Sequence, residues 1–209
     1  MNILIADDHA VVRRGLKDIL VETIPGANFI EAANGNEVLA RLIGSHASLV
    51  ILDINMPGRG GLDVLGDINR TYPRLPVIML SMQPEELYAV RCMRAGASAY
   101  INKSCAPEEL AHAARKILAG GRYISQHLAE LLLEQTANLG PRPLHELLSD
   151  REHEVMRKIA AGKSLTEIAE GLHLSVKTVS TYRTRILEKM KATTNAELIR
   201  YAIEQRLID

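Results

Sequence analysis

Cysteine is nearly absent: Cys92 and Cys105 are the only two in 209 residues. Their separation matches no metal-ligand spacing and two thiols make no disulfide framework, so both are expected to pack in a reducing compartment. No apolar run approaches the roughly 18 residues needed to cross a membrane. The first residues also lack the charged start and long apolar stretch of a secretion signal. A soluble, cytoplasmic protein with no membrane partner is therefore expected. Net charge is missing too, because 25 Lys and Arg balance 25 Asp and Glu. Any attraction to a polyanion has to be local. With 47% hydrophobic residues, this length can supply two cores and points to two domains.

What the chain does contain is a set of short apolar runs that each end in a polar or charged residue. Residues 2–6 (NILIA) run into Asp7 and Asp8, residues 49–52 (LVIL) into Asp53, residues 77–80 (VIML) into Ser81, and residues 99–101 (AYI) lead to Lys103. Helix-period segments alternate with them at 11–23, 36–43, 61–71, 84–95 and 107–119. This pattern predicts an α/β fold with a five-stranded, doubly wound parallel sheet. Ligands of such sheets collect at the carboxyl ends of the strands, so three carboxylates, an ammonium and a hydroxyl are expected to meet at one edge. An aspartate at one strand end alone reads as a helix cap; polar residues closing successive strands need more than capping.

Charge then suggests the chemistry. Three carboxylates a few ångströms apart do not all stay ionised without a cation, and hard oxygen donors suit Mg²⁺. Beside such an ion, Asp53 is a candidate nucleophile able to form an acyl-phosphate. Lys103 and Ser81 are candidates to hold the phosphoryl oxygens.

Residues 1–120 resemble the receiver domain of two-component response regulators, which is flavodoxin-like. The resemblance rests on Asp7-Asp8-His9, on Asp53 in LDINMPG, on Ser81, and on Tyr100 three residues before Lys103. It implies that Asp53 is the phosphoacceptor, with Asp8, Asp53 and the Asn55 carbonyl binding Mg²⁺ and Asp7 acting mainly through water. It also implies that Ser81 and Tyr100 form a switch pair. One departure is Ser104 after Lys103, where the family often has a cis-joined proline; a cis bond without proline costs about 2.5–4 kcal/mol.

Beyond Gly120-Gly121, Ser125 can cap a further helix carrying Leu128, Leu131, Leu132 and Leu133, and residues 138–143 (NLGPRP) are rich in helix breakers. The expected division is a domain over 1–120, a linker with a helix over 121–147, and a second domain over 148–209. After 147 no strand-like run remains. Ser149 to Glu152 reads as a capping box, Ser164 can cap a second helix, and Ser175 a third that reaches about Lys191. The short turn over 171–174 between the last two makes a helix-turn-helix. In the third helix Val176, Val179, Ile186, Leu187 and Met190 share one side, while Lys177, Thr181, Thr184 and Arg185 share the other, with Ser180 at its edge. Residues 176–191 hold Lys177, Arg183, Arg185, Lys189 and Lys191 against Glu188 alone. A local basic face beside a turn between helices favours a DNA groove.

Residues 145–209 resemble the four-helix output domain of LuxR-type regulators, so that the whole chain resembles a NarL/FixJ-type response regulator. The implied partners are a sensor histidine kinase, double-stranded DNA and, when phosphorylated, a second copy of the chain. Ser180 and Tyr182 stand where the family commonly has Lys and His, so the family's base code does not transfer. The expected DNA contacts are Lys177, Ser180, Thr181, Arg183, Thr184, Arg185 and Lys189, with the Arg183 stem packed and its guanidinium on a phosphate. The chain is expected to be no enzyme beyond its own phosphorylation and dephosphorylation. Two rival readings remain: a phosphatase or mutase using Asp53, which lacks a second Asp on the same loop as acid, and an interaction protein that never meets DNA.

Overall fold

The computed structural model describes residues 1–209 except 106, 138–142, 173, 206 and 209. The breaker-rich stretch 138–142 and His173 of the expected turn thus lie outside the described residues. The chain forms two compact units, Met1–Leu139 and Gly140–Asp209.

The first unit is a five-stranded sheet: β1 (Asn2–Ala6), β2 (Asn28–Ala32), β3 (Ala47–Asp53), β4 (Val77–Ser81) and β5 (Ala99–Asn102). Every pairing is parallel and the order is β2-β1-β3-β4-β5. The order reverses between β1 and β3, which opens a crevice at their carboxyl ends. Helices α1 (Ala10–Thr23), α2 (Gly35–Leu42), α3 (Gly61–Thr71), α4 (Glu85–Arg94) and α5 (Pro107–Leu118) fill the crossovers and the end of the series.

Strand side chains alternate between faces, and the apolar runs therefore feed two cores. Leu4, Ala6, Val50, Leu52, Val77 and Met79 join one, with Val38, Val64, Leu65, Ile68, Tyr88 and Cys92 from α2, α3 and α4. Ile3, Ile5, Leu49, Ile51, Ile78 and Leu80 join the other, with Leu20 of α1 and Leu110, Ala113 and Ile117 of α5. Cys92 is buried and Cys105 half-buried, and both lie in apolar surroundings, as expected of packing residues.

The short strand β2 carries little signal in the sequence. It is an edge strand with Asn28 and Glu31 exposed and only Ala32 buried, so it lacks the continuous apolar run of its neighbours. Helix α6 (Gln126–Ala137) follows α5 and packs against α4. Its Leu128 is fully buried in the same core as Cys92, with Leu131 and Leu132 beside it. Burying one leucine stabilises by about 1.5–3 kcal/mol. A helix shorter than about 12–15 residues is marginal alone, so docking is what holds α6.

In the second unit a 3₁₀ turn (Leu144–Leu147) precedes α7 (Asp150–Ala160), α8 (Leu165–Gly171), α9 (Val176–Met190) and α10 (Asn195–Glu204). Ser149 and Ser164 each close a capping box, with Glu152 and Glu167, and Ser175 caps α9 by accepting from the Thr178 amide. Each cap satisfies N–H groups that a helix start leaves unpaired. Lys191 ends α9 in the left-handed region at φ 51°. Val155, Met156, Ile159, Ile168, Ala169, Val179, Ile186, Met190, Leu198 and Ala202 form a single core.

Candidate functional site

Ladder register brings the polar residues to one sheet edge. Ala6 is level with Leu52, so Asp7 follows β1 where Asp53 closes β3; Asp53 is level with Leu80, and Ser81 follows beside Asn102. Asp7, Asp53 and Ser81 are all buried. Lys103 bridges the two carboxylates, its Nζ standing 2.6 Å from Asp7 Oδ2 and 2.8 Å from Asp53 Oδ2. The Asn55 amide donates to Asp53 Oδ1 at 3.2 Å. One ammonium thus serves two buried carboxylates, and the site is short of positive charge.

Asp8 behaves differently. It is partly exposed and its Oδ1 lies 2.7 Å from His9 Nδ1, while the His9 amide donates to Asp7 Oδ1 at 2.8 Å. Asp7, Asp8 and His9 offer ligand atoms close enough together to hold a metal ion. Sequence reasoning missed His9 as a partner of this cluster, although its place directly after the acidic pair is a signal. Arg13 was missed as well. One turn into α1, it donates to the Asp7 carbonyl at 2.8 Å and to Glu31 Oε2 of β2 at 3.0 Å, tying the acidic loop to the sheet.

Ser81 and Tyr100 are hydrogen-bonded to each other and are both bonded to Gln83. The Gln83 amide donates to Ser81 Oγ at 3.0 Å, and the Tyr100 hydroxyl donates to the Gln83 carbonyl at 2.7 Å, where Asn102 Nδ2 also donates at 3.1 Å. Tyr100, on the edge strand β5, is buried in the core, and burial pushes its phenol well above the ordinary range. No peptide bond among the described residues is cis.

In the second unit, α9 buries Val179, Ile186 and Met190 and exposes Lys177, Ser180, Thr181, Thr184, Arg185 and Lys189. Val176 departs from the expected apolar side and is 45% exposed, because the first turn of α9 extends beyond the core. Two of the expected DNA contacts have internal partners. Arg183 Nε donates to Asn195 Oδ1 at 2.8 Å, and Lys189 Nζ donates to Glu152 Oε2 at 2.6 Å. Burial opposes ionisation of Glu152, but the Lys189 ammonium and the Ser149 amide outweigh it and hold its carboxyl below the ordinary range. Thr181 and Thr184 return their hydroxyl hydrogens to the Lys177 and Ser180 carbonyls, which leaves their oxygens as acceptors.

Residues 3–115 match the model of the response regulator receiver domain, and residues 146–202 match that of the bacterial regulatory proteins of the luxR family. The chain belongs to the NarL/FixJ-type response regulators. It is 35% identical to response regulator UvrY of Escherichia coli K12 over 99% of this chain and 95% of that protein. It is also 35% identical to the oxygen regulatory protein NreC of Staphylococcus carnosus, over the full length of both. Among solved structures, RcsB of Salmonella enterica serovar Typhimurium, bound to promoter rprA with the phosphomimetic BeF₃⁻, superposes with a TM-score of 0.59 at 29% identity, covering 96% of this chain and 98% of that one. No helix among the described residues is long and apolar enough to cross a membrane.

The donor set of this regulator fits a hard divalent cation. Burial, with the Asp7 charge adding to it, pushes the Asp53 carboxyl above its ordinary value against the pull of Lys103. Burial likewise opposes the Lys103 ammonium, but Asp53 and Asp7 prevail and hold its pKa high. Oxygen ligands with a surplus of negative charge are what Mg²⁺ takes. The sign of the pH dependence follows from Asp53. Its folded-state pKa lies above the unfolded one, so the metal-free regulator loses stability from this group as pH rises past the ordinary carboxylate value. A bound cation needs the ionised form. The rise in unfolding temperature on adding Mg²⁺ is therefore expected to be larger at neutral pH than in mildly acidic buffer. Calorimetry at both pH values checks this, and an equal rise at both would remove Asp53 from the ligand set.

Proposed function

We propose that this response regulator takes a phosphoryl group from a sensor histidine kinase onto Asp53 and, once phosphorylated, binds paired DNA half-sites as a dimer. The observation that carries the reading is Lys103 bridging buried Asp53 and Asp7 at the sheet's switch point, in a chain whose α9 exposes a basic and hydroxyl-bearing face.

An Asp53 oxygen attacks phosphorus, and the bond from phosphorus to the donor's nitrogen or oxygen breaks. Lys103 pairs with the added phosphoryl charge, and the Ser81 hydroxyl turns to donate to a phosphoryl oxygen. Asp8, Asp53 and the Asn55 carbonyl would hold Mg²⁺, with Asp7 acting through water. The ion, when bound, neutralises charge between carboxylate and phosphoryl oxygens. Ser81 leaving the Gln83 amide for a phosphoryl oxygen, with the neighbouring Tyr100 responding to it, would constitute the switch. The protein would do no chemistry beyond making and slowly losing its own acyl-phosphate.

On DNA, α9 would enter the major groove, with Lys177, Ser180, Thr181, Thr184 and Arg185 facing it. Lys189 spends one of three ammonium donors on Glu152 and keeps the others for phosphate. Arg183 would reach a phosphate only with donors not given to Asn195. Duplex binding measured against salt tests the assignment: Arg185→Ala or Lys177→Ala should weaken binding and flatten the log–log salt slope by ~0.9 for each phosphate no longer neutralised. An unchanged slope would mean that neither side chain touches the backbone. The coupling itself is tested by adding Mg²⁺ and a small phosphodonor to the full chain. A gain in both DNA affinity and dimer fraction is expected, and equal binding without donor would overturn phosphorylation as the trigger.

A further inference from the structure

Lys103 holds its ammonium between two carboxylates on a flexible four-carbon stem, so its reach depends on where its backbone starts. The sheet fixes only one side of that start: the Lys103 amide donates to the Ser81 carbonyl at 2.8 Å, and β5 ends one residue earlier, at Asn102. The turn that follows is held by the Asn102 side chain. Its Oδ1 accepts the Ser104 amide at 2.9 Å and the Ser104 hydroxyl at 2.7 Å, while the Cys105 amide donates to the Asn102 carbonyl at 3.0 Å. An asparagine that captures the amide two residues on builds a turn by itself. A proline at 104 would have no N–H to give; Ser104 supplies it.

The nitrogen of the same side-chain amide reaches the loop after β4. Asn102 Nδ2 donates to the Gln83 carbonyl at 3.1 Å, and the Gln83 amide donates to Ser81 Oγ at 3.0 Å. A backbone donor on its oxygen and a backbone acceptor on its nitrogen fix which way round the Asn102 amide lies. Asn102 thereby joins the turn that carries Lys103 to the loop that holds Ser81, the two residues that would take the phosphoryl oxygens. We propose that Asn102 is a positioning residue for phosphoryl transfer: clasping Ser104 with its oxygen and Gln83 with its nitrogen, it sets the turn from which Lys103 reaches Asp7 and Asp53. The Lys103 side chain is 11% exposed and meets those carboxylates at 2.6 and 2.8 Å, a seat that a loose turn would not keep. The inference rests on the phosphoacceptor reading above.

Three variants of the full chain test it. Asn102→Ala removes both clasps, Asn102→Leu removes them at nearly constant volume, and Ser104→Ala removes the hydroxyl bond but keeps the amide one. With Mg²⁺ and acetyl phosphate, both Asn102 variants should be phosphorylated about tenfold or more slowly than wild type, because misplacement by ~1 Å can cost about 10²-fold. Ser104→Ala should stay close to the wild-type rate. Without Mg²⁺ or donor, trace acetylation by acetic anhydride is read residue by residue by mass spectrometry. Lys103 should label about threefold or more faster in the Asn102 variants, since a local opening exposes it, while Lys116 of α5 labels as in wild type. A turn that only stabilised the fold would not single out Lys103. Faster labelling of Lys116 as well marks general loosening and overturns the inference. Slow phosphorylation with unchanged Lys103 labelling, or a wild-type rate in Asn102→Leu, overturns it too, and the phosphoacceptor reading then stands. No phosphate uptake by wild type would overturn that reading and the role of Asn102 with it.

Discussion

Replacing Asp53 by asparagine is expected to remove phosphoryl uptake from acetyl phosphate entirely while leaving the metal-free protein at least as stable as wild type. The two outcomes have one origin. Uptake needs a carboxylate oxygen with a lone pair to give to phosphorus, and an amide of the same shape has none of comparable nucleophilicity. Stability goes the other way because the surroundings work against a charge on Asp53: burial, with Asp7 nearby, pushes its carboxyl up. Asparagine abolishes that charge at constant volume and leaves Lys103 paired with Asp7 at 2.6 Å. Removing one partner of a buried pair usually destabilises because a charge is left alone; here the ammonium keeps its second carboxylate. The Mg²⁺-dependent rise in unfolding temperature should shrink in the same variant. Intact-mass measurement after phosphodonor treatment and calorimetry with and without Mg²⁺ read the two outcomes. Uptake persisting in the variant would mean that another residue accepts the phosphoryl group. A marked loss of metal-free stability would mean that the Asp53–Lys103 pair outweighs the cost of burying the carboxylate.

Much of this site could be read from the chain because doubly wound sheets place strand ends together, and an apolar run with a charged last residue marks a strand end. Asp7, Asp53, Ser81 and Lys103 were legible on that ground alone. What lay hidden depends on contacts between distant segments. Nothing local in HAVVRR says that Arg13 reaches back to the Asp7 carbonyl and across to Glu31. The same holds for α6. Its cap at Ser125 was readable from spacing, but the carboxylate that shares the cap is 40 residues earlier.

The output helix divides in the same way. Helical phase correctly put Val179, Ile186 and Met190 inside and Lys177, Thr181, Thr184 and Arg185 outside. Phase assumes a core along the whole helix, and Val176 is exposed because the core ends before it. Charge counting could not show that Lys189 and Arg183 have carboxylate and amide partners on α7 and α10. Both cations help to hold the helices together, so their replacement by alanine would affect folding and DNA binding at once. Lys177 and Arg185, exposed on α9, are the cleaner probes.

Gly61→Ala should be the most disruptive single methyl in the receiver, although no residue of the chemistry is touched. Gly61 opens α3, and its amide donates to the Ile54 carbonyl at 2.9 Å, drawing the helix start against the end of β3. A Cβ there would meet the Asp53 carbonyl oxygen and stand 2.7 Å from Ile54 Cα. These are backbone atoms of the proposed phosphoacceptor and its neighbour, which cannot swing aside as a flexible side chain can. Overpacking of this sort costs about 1–3 kcal/mol. Relief requires α3 to back away or the Asp53 backbone to shift, and either disturbs a carboxylate held between Lys103 and the Asn55 amide. Misplacement of a reacting group by about 1 Å can cost about 10²-fold in rate. The expected result is a lower unfolding temperature together with a phosphorylation rate down by one to two orders of magnitude, whereas Gly66→Ala in the same helix, where a Cβ meets nothing, should leave the rate unchanged and stabilise slightly through helix propensity. Equal phosphorylation rates in the two variants would show that the β3 end tolerates the displacement and that Asp53 is positioned by its side-chain partners alone.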